Sequence, residues 1–258
     1  MLILAIFGVL YSLGISDYSR RFIALQISCP LLVLSGLAFT LHVMFTRFAR
    51  AYVKALQSPT PDDLVSLHEA SMARAQGKIP DADAILAQCV GLAYVFYGRE
   101  QQARAALARV RWSERAPLIR AAGVSVQGLI ALVCCEDVPR ALELMRQVQA
   151  LSAPGRRVMV SGNSRRYYAC NQALADVLSG EASEASLKIL RGGSRMQTLP
   201  GVQLIAYAGL IVAAQRAGDQ AETAELRREL RALAPHFDAL LFEQAGQNSS
   251  PSTSRRAL

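Results

Sequence analysis

Two uninterrupted apolar runs open the chain, Met1–Ser16 and Phe22–Thr46, and the short gap between them holds the only charged side chains of the first 46 residues, Asp17, Arg20 and Arg21. At about 1.5 Å per helical residue the second run exceeds a hydrocarbon core roughly 30 Å thick, whereas the first reaches about 24 Å. The pattern predicts a membrane segment over 1–57 with one or two transmembrane helices, the second run being the safer span. Proline is comfortable in the first turn of a helix and disruptive inside one, so the continuous helix is expected to begin near Pro30 and run past Phe45 toward Tyr52. A secretory signal peptide is the alternative for the first run, but the basic region that precedes such a peptide's apolar stretch is missing. Within the runs, Gly8 with Ser12 and Gly36 with Thr40 put small residues four apart on one helix face.

The pattern changes at Ser58. Ser58–Pro61 reads as a linker, and Asp62-Asp63 supplies the acidic first turn of a helix. From there to 246 the apolar positions recur with helical period and strand signals are nearly absent, Val158–Ser161 being the one short candidate. Helices are predicted at 62–76, 81–97, 100–111, 116–134, 138–151, 164–179, 183–191, 200–217 and 220–233. Gly77, Gly98, Pro117, Pro154-Gly155, Gly180, Gly192-Gly193, Pro200 and Gly218 punctuate them. Residues 247–258 are polar and aperiodic and read as a disordered tail.

An internal repeat runs through this domain. A long apolar helix ends at a glycine or acidic turn, and an alanine follows five residues later in a more polar helix: Gly77 with Ala82, Gly98 with Ala103, Glu136 with Ala141, Gly180 with Ala185. At Gly218 the register slips by one, to Ala224. On the stretches GLAYVFYGREQQARAAL, GLIALVCCEDVPRALELM, ALADVLSGEASEASLKIL and LIVAAQRAGDQAETAELRREL the chain resembles the tetratricopeptide repeat family over roughly 62–233. That resemblance implies an all-α fold, helical hairpins stacked into an α-solenoid behind the membrane helix or hairpin. The anchors are 21, 38, 44 and 38 residues apart rather than a steady 34 or so, and Trp112 lies in a connecting segment instead of early in a repeat.

Charge and cysteine content refine the picture. Of the formal +8, the segment through Lys54 carries +4 from Arg20, Arg21, Arg47, Arg50 and Lys54 against Asp17. Three basic residues after the second run against two in the gap favour a cytoplasmic domain under the positive-inside rule. Five cysteines, an odd number without framework spacing, point the same way. Two basic stretches stand out: Arg99, Arg104, Arg109, Arg111, Arg115 and Arg120, and then Arg156, Arg157, Arg165 and Arg166. Such charge next to a membrane suits anionic lipid, an acidic partner or, least favoured, nucleic acid.

No motif for catalysis is present. The three histidines form no HExxH pair, no CxxC occurs, and neither a P-loop, a GxSxG elbow, an SxxK nor a GxGxxG turn appears. Cys134-Cys135 read as buried small hydrophobes and His68-Glu69 as a surface pair. No cofactor or metal is expected, and the chain is not read as an enzyme. The expected role is a membrane-anchored interaction or scaffold module for a protein or peptide partner, with a basic face for anionic lipid or nucleic acid as the alternative. Asn163, Arg165, Arg166, Asn171 and Gln172, polar residues entering an otherwise apolar helix, are the candidate partner contacts.

Overall fold

The computed structural model describes residues 17–73, 77–152 and 162–237, the side chains of 17–33, Leu41, Gly162 and Asn163 excepted. The first apolar run, the Gly8/Ser12 face, the strand candidate Val158–Ser161 and the tail lie outside the described residues. Everything described is helix or turn. The chain divides into two units, Met1–Phe48 and Ala49–Leu258.

Helix α1, Asp17–Leu56, is 40 residues long, about 60 Å. It includes the charged gap Asp17–Arg21 and passes through Pro30, so the continuous helix does not wait for Pro30 to begin. One missing backbone donor among 40 residues leaves the turns on both sides intact. Its last turns, Ala49–Leu56, belong to the second unit: Ala49, Tyr52, Ala55 and Leu56 are buried there, Leu56 completely. The division between units therefore falls ahead of the Ser58 linker.

The second unit continues with α2 (Asp62–Ala73), α3 (Ala82–Phe96), α4 (Glu100–Ala108), a 3-10 turn at Trp112–Glu114, α5 (Pro117–Leu129), α6 (Val138–Ser152), α7 (Gly162–Ser179), α8 (Glu184–Ser194), α9 (Pro200–Ala217) and α10 (Gln220–Leu233). Pro117 and Pro200 occupy first-turn positions, where a missing N–H costs nothing. Ser183 and Asp219 cap α8 and α10 by accepting from the amides of Ser186 and Glu222. The stretch expected as one helix over 116–134 changes character at Ile130. There the chain widens into a π turn through Cys134, with the Cys135 amide reaching back to the Ile130 carbonyl.

Sequence neighbours pack against each other throughout: α3 on α4, α5 on α6, α7 on α8, α9 on α10. The longer members also meet across the pairs, α3 on α5 and α7 on α9. Apolar burial follows this order. Ala173, Val177, Leu190, Ala206 and Leu210 form one cluster at the α7–α8–α9 junction, and Ala84, Ala87 and Val110 another near α3 and α4. Gly193 allows the tight approach of α8: a Cβ there would sit 2.7 Å from Cys170 Sγ and 3.0 Å from Ala206 Cβ. Pro117–Cys134 is long and apolar enough to cross a membrane, yet 61% of it is buried inside the domain, as a core helix is.

The repeat anchors share one backbone state. Gly77, Gly98, Glu136, Gly180 and Gly218 all have φ between 53° and 86°, the left-handed turn that stops a helix. Where they differ from the sequence expectation is in the small residue that follows. Ala103 and Ala141 are fully buried, but Ala82 is only half-buried with Ala84 buried in its stead, and Ala185 and Ala224 are exposed, with Ser186 and Thr223 buried beside them. After Gly218 the buried small residue thus keeps the five-residue step, through Thr223, whereas it falls one residue later after Gly180 and two later after Gly77. Glu136 is the one anchor with a β-carbon, held at φ 53°. Glu136→Gly removes that steric cost and should raise the unfolding free energy by about 1 kcal/mol, measured by urea denaturation; a decrease would mean the Glu136 side chain stabilises the turn.

Candidate interaction surface

Three grooves follow in chain order, the first and third floored by one helix and the second by the junction of a helix and a π turn, each walled by the elements before and after. The first, about 390 Å³, lies over α3 between α2 and α4 and is lined by Glu69, Met72, Asp83, Leu86, Val90 and Arg109 among others. The second, about 380 Å³, lies between α4 and α6 over the last turn of α5 and the π turn, with Arg104, Leu107, Trp112, Gln127, Ile130, Arg140 and Leu144. The third, about 280 Å³, lies over α7 between α6 and α8, with Gln149, Arg165, Tyr168, Gln172, Asp176 and Ile189. Arg165, Tyr168, Ala169, Gln172, Ala173 and Asp176 follow the i, i+3, i+4 spacing of a single helix face, which is why one helix supplies the whole floor.

The second groove has a fixed aromatic wall. Trp112 donates from Nε1 to the Leu107 carbonyl at 2.8 Å. Its ring lies so close over Gly123 that a Cβ there would approach it to 2.6 Å. In the third groove the polar groups form a chain: Gln149 Nε2 donates to Gln172 Oε1 at 3.2 Å, Gln172 Nε2 to Asp176 Oδ1 at 2.7 Å, and the Ser186 hydroxyl to Asp176 Oδ2 at 2.9 Å. Both Asp176 oxygens are thereby engaged.

The predicted contact residues separate. Arg165 and Gln172 come together in the third groove; Arg166 is exposed but does not line it. Asn171 is not a surface contact: it is fully buried and donates from Nδ2 to the Ser125 hydroxyl at 2.6 Å. One helix turn carries Arg165 out and Asn171 in, a distinction that a short polar stretch does not announce. The side chain of Asn163 lies outside the described residues, as do those of Arg20 and Arg21. Arg47, Arg50 and Lys54 are exposed along α1.

Much of the first basic stretch is neutralised locally. Arg104 pairs with Glu100 at 2.8 Å, Arg111 with Glu114 at 3.4 Å, and Arg115 bridges Asp81 and Asp83. Glu100 is held below the usual carboxylate range chiefly by its hydrogen bond to Arg104. Arg140, Arg165 and Arg166 have no acidic partner among the described residues.

Beneath the grooves, polar side chains from α1, α2, α3, α5 and α7 are sequestered in the interior. Tyr52 meets His68 edge-on with ring centroids 5.5 Å apart, so His68 is a core residue and not half of a surface pair with Glu69. Burial lowers the His68 imidazole to about 4 and raises the Cys89 thiol to about 11. Burial also lifts the Tyr167 phenol to about 12, against the opposing pull of Ser125 and Asn171. A group kept neutral in this way is suited to packing rather than to proton transfer at neutral pH. Cys134 and Cys135, expected as buried small hydrophobes, are half-buried and exposed respectively; desolvation pushes the Cys134 thiol up to about 12, and Cys135 has Arg104 Nη2 at 3.7 Å. Among the described residues no group of three or more His, Cys, Asp or Glu side chains could hold a metal ion.

No protein-family model, curated protein or solved structure matches this chain.

Proposed function

We propose that the protein is a membrane-anchored, non-catalytic interaction module, an α-solenoid of tetratricopeptide-like hairpins whose serial grooves hold a protein or peptide partner. The succession of grooves in chain order, at α3, at the end of α5 and at α7, carries this reading, because stacked hairpins repeat their surface as well as their core. Five left-handed turns at the repeat anchors support it. The anchor is proposed to be α1, with the domain on the cytoplasmic side. Leu34, Leu37, Phe39, Met44 and Phe45 are all more than half exposed, an apolar surface that water does not favour and acyl chains would cover. Confinement to a bilayer raises the effective concentration of whatever the grooves hold.

The test is affinity capture of the intact protein from mild-detergent membranes, with Arg165→Ala/Arg166→Ala alongside and mass spectrometry as readout. A discrete protein partner depleted in the variant is expected. Recovery of lipid or nucleic acid without any protein partner overturns the reading in favour of a basic-face binder. The ion pairs of Arg104, Arg111 and Arg115 weigh against that alternative, since they leave less charge available to phosphates. Sedimentation with carbonate-washed membranes checks the anchor; release into the supernatant would remove it.

A further inference from the structure

We infer that the second and third grooves together take an acidic, apolar-centred peptide segment that straddles helix α6, with Arg140 and Arg165 as its two cationic contacts. This deepens the interaction-module reading and rests on it. The argument begins with charge. Arg104 is occupied by Glu100, whereas Arg140 on the wall of the second groove and Arg165 on the floor of the third are exposed and have no acidic partner among the described residues. The one carboxylate in the third groove, Asp176, already accepts from Gln172 and Ser186. No carboxylate lines the second groove. The first groove differs in carrying Glu69 and Asp83, so it is left out of the proposed site.

Apolar surface lies beside each cation. Leu144 and Trp112 accompany Arg140, while Ile189, 39% exposed on α8, and Tyr168 accompany Arg165. Each groove therefore suits one apolar side chain flanked by carboxylates, the arginine fork meeting the charge and the wall the hydrocarbon. Arg140 and Leu144 face one side of α6 and Gln149 and Ser152 the other, so a ligand reaching both grooves must cross one helix. The two pairs are also about 13 Å apart along α6 at about 1.5 Å per residue, and a helix is about 10 Å across, so the path is about 16 Å, a spacer of about five residues at about 3.3 Å each.

Trp112 is the sole tryptophan and lines the second groove, so its emission reports occupancy without a label. The probe is a tryptophan-free synthetic peptide with two Glu-Leu-Glu clusters joined by such a Gly/Ser spacer, titrated into the full chain in mild detergent. A saturable change in Trp112 emission is expected, at least about tenfold weaker in affinity when the clusters are Gln-Leu-Gln, and weakened by added salt. Arg140→Glu should weaken binding about tenfold or more. Arg165→Glu should weaken it similarly while leaving the emission change at saturation intact, because only the distant cluster is lost. Both side chains are exposed, and circular dichroism verifies the fold; Arg140→Gln and Arg165→Gln replace any reversal that disturbs it. No saturable change, equal binding of the glutamine peptide, or indifference to both reversals overturns the inference. A captured protein partner that survives Arg140→Glu/Arg165→Glu would overturn it while leaving the interaction module standing; absence of any captured partner would count against the module itself.

Discussion

Phe96→Ala should lower the unfolding free energy of the protein by about 4 kcal/mol, within the 3–5 kcal/mol range of a large aromatic truncated in a closed core. Phe96 is the last residue of α3 and is 1% exposed. Its ring meets Phe237 edge-on, centroids 5.5 Å apart and planes at 82°, and it also borders the space beside Gly201, where a Cβ would stand 3.6 Å from the ring. Truncation therefore empties a socket that Phe96 fills between the start of α9 and the chain beyond α10. Urea denaturation of the intact protein in mild detergent measures the loss. A change under about 1 kcal/mol would mean that the socket closes over the missing ring. Phe237→Ala provides the paired measurement, and the coupling between the two rings should be about 1 kcal/mol.

Acid should destabilise the fold between pH 6.5 and about 4, and His68 should account for much of the effect. The imidazole has an ordinary value of 6.5 and is lowered to about 4 by burial in the folded protein. Below pH 6.5 the unfolded chain takes up a proton that the folded chain refuses. The stabilisation is therefore complete above 6.5 and is lost as pH falls toward 4, reaching about 3 kcal/mol for this one group. His236 is lowered to about 4 for the same reason, but it is half-buried, stacked on Tyr97 with centroids 3.7 Å apart, and so contributes less. Unfolding measured across pH 4–7 in His68→Phe should show a shallower pH dependence than the parent. An unchanged slope would mean that His68 takes up its proton without leaving its place against Tyr52.

The helices were legible in the sequence because their punctuation is local. Gly98, Gly180 and Gly218 stop helices through their own backbone freedom, and Pro117 and Pro200 start them through their own missing donor, so no knowledge of distant residues is needed. The left-handed turns at the expected anchors were legible for the same reason, and the close contacts that follow them less so. Whether Ala185 or Ser186 goes inward depends on where α8 begins, which Ser183 fixes by capping the amide of Ser186. At the candidate surface, the groove-lining Arg165 and Gln172 were found because polar residues on an apolar helix stand out. Arg140, which lines the second groove, was not singled out because an arginine near the start of a helix looks like ordinary solvation. Asn171 and His68 were misjudged because their burial is decided by Ser125 and Tyr52, 46 and 16 residues away in sequence.

The closing of the domain over Ala49–Leu56 sets an order of biosynthesis. Tyr97 donates to the carbonyls of Ala55 and Ser58 at 3.0 and 3.1 Å, and His236 lies flat against that same tyrosine. Gln57 donates to the Ala232 carbonyl across 175 residues of chain. The groups that seal the end of α1 are thus among the last of the described residues to leave the ribosome. Through most of translation, a nascent chain already holding its first helix keeps Phe96 without the Phe237 ring that packs on it. Only when Phe237 has emerged can the two ends of the domain be joined, so the packing of Phe96 is completed late in synthesis.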